Sequence, residues 1–119
     1  WIEGDLKPTW RPKWEKDLAQ VLTERGIEFE PQYRLPGCSK PFDFFVQNRL
    51  LVELNGCFWH GCESCYDHHP IQDRVKKNDM EKAQHAQDAG VRLLVIWEHD
   101  REMVCDKLFT ALDHAGAIS

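Results

Sequence analysis

The chain has 119 residues, 42% of them hydrophobic, and a formal net charge of −5. That length and composition fit one domain with a modest core and exclude a disordered chain. No apolar run approaches the ~20 residues that span a bilayer, no secretory signal pattern opens the chain, and the acidic balance counts mildly against a compact nucleic-acid binder, although local fields decide binding.

The chain opens "WIEGDLKP" rather than with Met. Residues 1–11 are therefore expected to be an N-terminal extension, on a fragment of a longer protein. "RPKWEKDLAQVLTERG" predicts a first helix, with Pro12 in its first turn and Gly26 at its end. Trp14, Leu18, Val21 and Leu22 form its apolar stripe, and Glu15 sits at the stripe's edge. "IEFEPQYRL" alternates like a strand, and Pro31 suggests an edge or a bulge. "LPGCSKP" reads as a loop. "FDFFV" and "RLLVEL" read as two strands joined by "QN", a hairpin signal.

"HHPIQDR" reads as a polar connection into a second helix, "VKKNDMEKAQHAQDAG", ended by Gly90. Its apolar stripe is thin, Val75, Ala83 and Ala86, and Asp79 shares that inward face. "VRLLVIW" is apolar throughout and predicts a central buried strand. "DREMVCDKLFTALDHAG" predicts a last helix, N-capped by Asp100, with Met103, Val104, Leu108 and Leu112 inward. The expected order is α–β–β–β–α–β–α, a small mixed sheet flanked by helices. Arg74, Lys76, Lys77 and Lys82 cluster, as do Arg11, Lys13, Lys16 and Arg25. Each cluster reads either as a solvated helix face or as a local basic patch.

The densest chemistry lies in "LVELNGCFWHGCESC", residues 51–65. Five cysteines is an odd count, and three of them, Cys57, Cys62 and Cys65, fall within nine residues. That pattern fits metal in a reducing compartment better than a disulfide scaffold. The last two form a C-x-x-C knuckle, whose thiolates can grip one Zn2+ from a tight turn. The fourth ligand is read as His99, just past the "VRLLVIW" strand, with Cys105, then His68 and His69, as alternatives. A redox C-x-x-C is the weaker reading, because the helix that normally follows such a motif is missing.

Asp43 opens one hairpin strand, and Glu53 and Asn55 close the other on a common face. An Asp followed about ten residues later by Glu-x-Asn approximates the D…(D/E)-x-K pattern of metal-dependent nucleases, in which carboxylates converge on Mg2+. Glu15 and Asp79 are further acids on apolar helix faces, where acids are rare unless paired or functional. His60 can exchange a proton near neutral pH; the other roles open to it are support of a neighbouring ligand or zinc ligation. Phe58 and Trp59 read either as core or as a wedge that inserts between base steps.

"NGCFWHGCESC", "KND" and "VRLLVIWEH" together resemble the very short patch repair (Vsr-like) endonucleases. They resemble equally the related phage homing endonucleases with a Glu-Asp-x-His-Asp signature. The likeness runs from "WEKDLAQVL" to "VIWEH". It implies a restriction-endonuclease-like (PD-(D/E)XK-related) α/β core, a structural Zn2+, Mg2+-dependent hydrolysis of double-stranded DNA, and a bacterial or phage protein of the cytoplasm or nucleoid. By position, the metal-binding aspartate falls on Asp43, the catalytic histidine on His60, its supporting aspartate on Asp79 and the helix glutamate on Glu15. The zinc ligands fall on Cys57, His99 and the knuckle, with Cys65 one residue later than usual and His99 where repair members carry cysteine.

Two departures shape the expectation. No Phe, Tyr or Trp occurs from residue 67 to 96, where repair members place an aromatic that grips the mismatch. Glu53 and Asn55 stand where those members carry apolar and histidine residues. The expectation is accordingly a homing or mobile-element nuclease domain, with a T:G mismatch-nicking repair enzyme as the alternative. Asp43, Glu53 and the Leu54 carbonyl would hold Mg2+, with His60, Asp79, Glu15 and Asn55 around it. Phe58, Trp59, Lys76 and Lys77 would contact DNA. A non-catalytic zinc-stabilised DNA-binding module is the rival from another class.

Overall fold

The computed structural model describes residues 11–57 and 60–118. Most of residues 1–11 and the Phe58-Trp59 pair, both singled out above, thus lie outside the described residues. The elements are α1 (Arg11–Glu24), β1 (Phe29–Tyr33), β2 (Phe42–Val46), β3 (Leu50–Asn55), α2 (Ile71–Ala89), β4 (Arg92–Trp97), a 3-10 segment over Glu98–Met103 and α3 (Val104–Ile118). The four strands make one mixed sheet in the order β1-β2-β3-β4. β1, β2 and β3 run antiparallel, and β4 runs parallel to β3. The α2 crossover is what a parallel pair requires, since a tight turn cannot join parallel strands.

The hairpin forms for a local reason. Gln47 and Asn48 both take positive φ, 52° and 56°, and the Arg49 N–H donates to the Val46 carbonyl at 3.1 Å. That two-residue turn has the twist its flanking strands need. β2 and β3 are buried along their whole length, so their alternate residues feed two separate cores. Phe44, Val46, Leu50, Val52 and Leu54 meet Trp14, Leu18 and Leu22 of α1 and Leu108, Ala111 and Leu112 of α3. Phe42, Phe45 and Leu51 meet Ala86 of α2 together with Leu35 and Cys38. The result is three layers, with α1 and α3 on one face and α2 on the other. The Arg25 guanidinium lies 4.6 Å from the centre of the Phe109 ring, so this basic residue covers an α1–α3 seam.

Several sequence expectations are corrected. The "VRLLVIW" strand is not central: β4 is an edge, and of its residues only Ile96 is fully buried. Its parallel pairing puts it beyond β3, so its apolar character serves two half-covered faces. α2 begins at Ile71, not Val75. Pro70 occupies its N-cap with φ −55°, where a missing N–H costs nothing, and Asp73 lies in the first turn. On α2, Ala83 is exposed and Val75 half-buried; the fully buried positions are Gln72 and Ala86. Asp100 does not cap α3, because it sits at a kink inside the 3-10 segment, and Met103 is 50% exposed. Pro31 does lie on an edge strand, β1, and Gly90 does end α2 with φ 72°.

Candidate functional site

The α2 face of the sheet carries three buried polar residues: Asp43, Glu53 and Asn55, at 5%, 6% and 5% exposure. The register that pairs Phe44 with Val52 brings Asp43 beside Glu53. Two hydrogen bonds then clasp the strands. The Asp43 N–H donates to Glu53 Oε1 at 3.0 Å, and the Leu54 N–H donates to Asp43 Oδ2 at 2.7 Å. Lys82 reaches down from α2 to pair with Glu53 Oε2, and its ammonium lies 5.1 Å from the centre of the Phe42 ring. The Glu53 carboxyl is pushed up to about 7. Burial is the main cause and the Asp43 charge adds to it, while Lys82 opposes both. Two carboxylates lie side by side with little exposure to solvent, and the Lys82 ammonium opposes the shift without cancelling it.

His60 enters from the loop after β3. Its N–H donates to the Gly56 carbonyl at 3.1 Å, and its Nδ1 lies 2.5 Å from Asp79 Oδ2. A proton held on Nδ1 by Asp79 leaves Nε2 as the basic nitrogen of the ring. Asp79 and Lys82 are one helical turn apart, so one face of α2 supports both His60 and Glu53. Gln72 continues that face, its Oε1 accepting the His69 N–H at 2.9 Å. Lys76 lies over Gly61, where a Cβ would run into the lysine side chain. Lys77 is exposed. Glu15 is half-buried on α1, the helix packed on the opposite face of the sheet.

A second centre lies where β3 and β4 end. Cys57, Cys62, Cys65 and His99 place one ligand atom each within 4.8 Å of one another. The three sulfurs stand 3.2, 3.6 and 3.5 Å from His99 Nδ1. Zn–S bonds of ~2.3 Å and a Zn–N bond of ~2.0 Å in a tetrahedron require S···N edges of about 3.5 Å. The quartet therefore could hold a metal ion such as zinc. His68 bonds Asp73 instead, at 2.9 Å, and His69 Nδ1 accepts the Ile71 N–H at 3.2 Å. Of the candidates for fourth ligand, His99 is the one within the cluster.

The loop is shaped for this. The Cys62 N–H donates to the Cys57 carbonyl at 2.9 Å, and the Cys65 N–H to the Cys62 carbonyl at 3.2 Å. Glu98 Oε1 accepts the Cys57 N–H at 3.1 Å, which ties the loop to the end of β4. Trp97 stacks on His99 and meets His60 edge-on, with ring centres 6.5 and 6.2 Å away. Crowding splits the three thiols. Burial raises Cys57. Cys65 is pushed up to about 12, first by its hydrogen bond to Cys62. Burial works against the Cys62 thiolate, yet hydrogen bonds from Cys65 and nearby backbone bring it below the ordinary thiol value. One thiolate is favoured and two are not, so a bound cation must displace protons.

Lys82, Trp97 and Glu98 are site residues that sequence reasoning missed. For Lys82 a signal existed: it lies three residues past Asp79 and four before Ala86, on the inward face. Glu98 and Trp97 are adjacent to His99, but nothing in their spacing pointed back to Cys57 or His60. No protein-family model matches this chain, and no curated protein is similar to it.

Proposed function

We propose that this chain is a Mg2+-dependent DNA endonuclease domain with a restriction-endonuclease-like core and a structural zinc, related to the very short patch repair and phage homing endonucleases. The observation that carries the reading is the single face of α2 that serves two polar assemblies at once. Asp79 holds His60, and one turn later Lys82 meets the buried Asp43–Glu53 pair. A fold with no chemistry to perform has little reason to bury two carboxylates against each other.

The donors suit a hard cation, since Asp43 and Glu53 are carboxylates on neighbouring strands, near enough for the Asp43 N–H to bond Glu53 Oε1. Asp43 and Glu53 would hold Mg2+, which would supply charge neutralisation for the scissile phosphate and a more acidic water. The chain's own residues do the rest. His60 Nε2 accepts the proton of the attacking water. Asp79 fixes the ring and stabilises the imidazolium that forms. Lys76, beside the His60 loop, and Lys77, exposed on the same helix, hold the DNA backbone, which neutralises phosphates without reading sequence. Phe58 and Trp59 fall between the zinc ligand Cys57 and His60 in sequence, so the zinc loop carries any wedge they form.

The test uses supercoiled plasmid and matched and T:G-mismatched duplexes, with Mg2+ or EDTA. Asp43→Ala is expected to keep the fold and the zinc yet lose cutting by ~100-fold or more, the scale of a lost metal-site or acid–base group. Cutting of matched and mismatched duplexes is expected to be equal. Strong preference for T:G would move the assignment to a repair enzyme. Mg2+-independent DNA binding without cutting, unchanged by Asp43→Ala, would favour a zinc-stabilised binding module.

A further inference from the structure

Lys82 is an unusual residue by its surroundings. Its side chain is 13% exposed, and that of its partner Glu53 is 7%. Lysine is almost never this buried without a partner, and withdrawing such a pair from water is costly. From one position the ammonium meets two partners, Glu53 Oε2 and the face of the fully buried Phe42. A cation can rest over an aromatic face when its carboxylate is taken away.

The charges of these three groups have a consequence. With both carboxyls ionised, Asp43, Glu53 and Lys82 by themselves sum to one negative charge, which repels a phosphodiester. A divalent cation at the same carboxylates turns that into one net positive charge, which attracts it. Lys82 and the divalent cation also compete for the same oxygen of Glu53. We propose that Lys82 is the resident counter-cation of the Asp43–Glu53 pair. A divalent cation must displace it from Glu53, and the displaced ammonium, seated over Phe42, supplies the positive charge that admits a DNA phosphate. Loading is thereby ordered, divalent cation first and DNA second. The DNA half of this inference rests on the nuclease reading; the competition for Glu53 does not.

The experiment uses the zinc-loaded full chain and the variants Lys82→Met and Lys82→Arg. Mn2+, an oxygen-preferring ion like Mg2+, is titrated by calorimetry. Duplex binding is then measured with and without Ca2+, and plasmid cutting with saturating Mg2+. Lys82→Met removes the competitor and is expected to bind Mn2+ about tenfold more tightly, a difference of roughly 1.4 kcal/mol. The same variant is expected to lose the Ca2+-induced gain in duplex affinity and to cut at least ~100-fold more slowly. Lys82→Arg is expected to stay within about threefold of the parent in Mn2+ affinity, because it restores the ion pair. Lys82→Gln gives the same ordering if the methionine variant does not fold.

Mn2+ affinity unchanged or weaker in both Lys82→Met and Lys82→Gln overturns the proposal, whether or not the parent cuts DNA. Tighter Mn2+ binding in Lys82→Met with no cutting by the parent upholds the competition for Glu53 and removes the nuclease reading. Duplex binding that is independent of Ca2+ in the parent overturns the ordered loading.

Discussion

At the residue scale, Glu53 is where function and stability pull apart. Its carboxyl is held near 7 against an ordinary 4.5, chiefly by burial. An acid whose folded pKa is raised favours the folded state most when it is protonated. Its contribution is therefore complete below about pH 4.5 and is lost as pH rises through about 7. The shift corresponds to roughly 3 kcal/mol at most, at 1.36 kcal/mol per unit. Glu53→Gln should remove this slope. Urea unfolding at pH 5 and pH 8, without divalent cations other than zinc, is expected to show the parent losing more stability than the glutamine variant over that interval. Equal losses in the two proteins would show that Glu53 stays ionised throughout.

At the scale of elements, α2 is a helix held by chemistry more than by apolar packing. Gln72 and Ala86 are its fully buried residues, and its inward face is completed by Asp79 and Lys82. Its contact with the cysteine loop is narrow: Gly61, at φ 71°, passes directly under Lys76. Gly61→Ala forces a side chain into left-handed backbone, which costs about 1–2 kcal/mol, and pushes Lys76 aside. The variant is expected to unfold at lower denaturant by about that amount and to bind duplex DNA less tightly. The hairpin face that α2 covers tells the same story from below. Asp43 and Glu53 are buried by strand pairing and satisfied by two cross-strand hydrogen bonds, so the sheet holds them whether or not a cation is present.

At the scale of the molecule, the cysteine–histidine quartet joins the end of β3 to the segment after β4. Among the described residues no helix is long and apolar enough to cross a membrane. The quartet could hold a metal ion of the zinc type, and the proposed Mg2+ at Asp43 and Glu53 should separate from it by chelation. Elemental analysis is expected to find one zinc per chain. Cys62→Ser should lower zinc affinity by at least ~100-fold and reduce the melting temperature, since such sites contribute folding energy directly. Zinc should also be lost on acidification, because protons compete for thiolates that, Cys62 aside, are already reluctant to ionise. A Cys62→Ser protein that still carries stoichiometric zinc and melts like the parent would remove the quartet from the account.

Local physics was legible in the chain itself. The order of elements, the Gln47-Asn48 turn, the edge position of β1 and the Gly90 stop follow from periodicity, turn chemistry and helix punctuation, each decided within a few residues. So did the gathering of Cys57, Cys62, Cys65 and His99 into a cluster that could hold a metal, because thiolate spacing narrows to few structures and a strand end was the rigid place for an imidazole. What the chain did not disclose depends on which elements become neighbours. An apolar run such as "VRLLVIW" looks alike at the centre or at the edge of a sheet, and only the parallel pairing with β3 put it outside. Lys82 reads as a surface charge until α2 is laid across the hairpin. The link between Lys82 and Glu53 spans elements far apart in sequence, and the burial that shifts the Glu53 carboxyl exists only once the layers close over it.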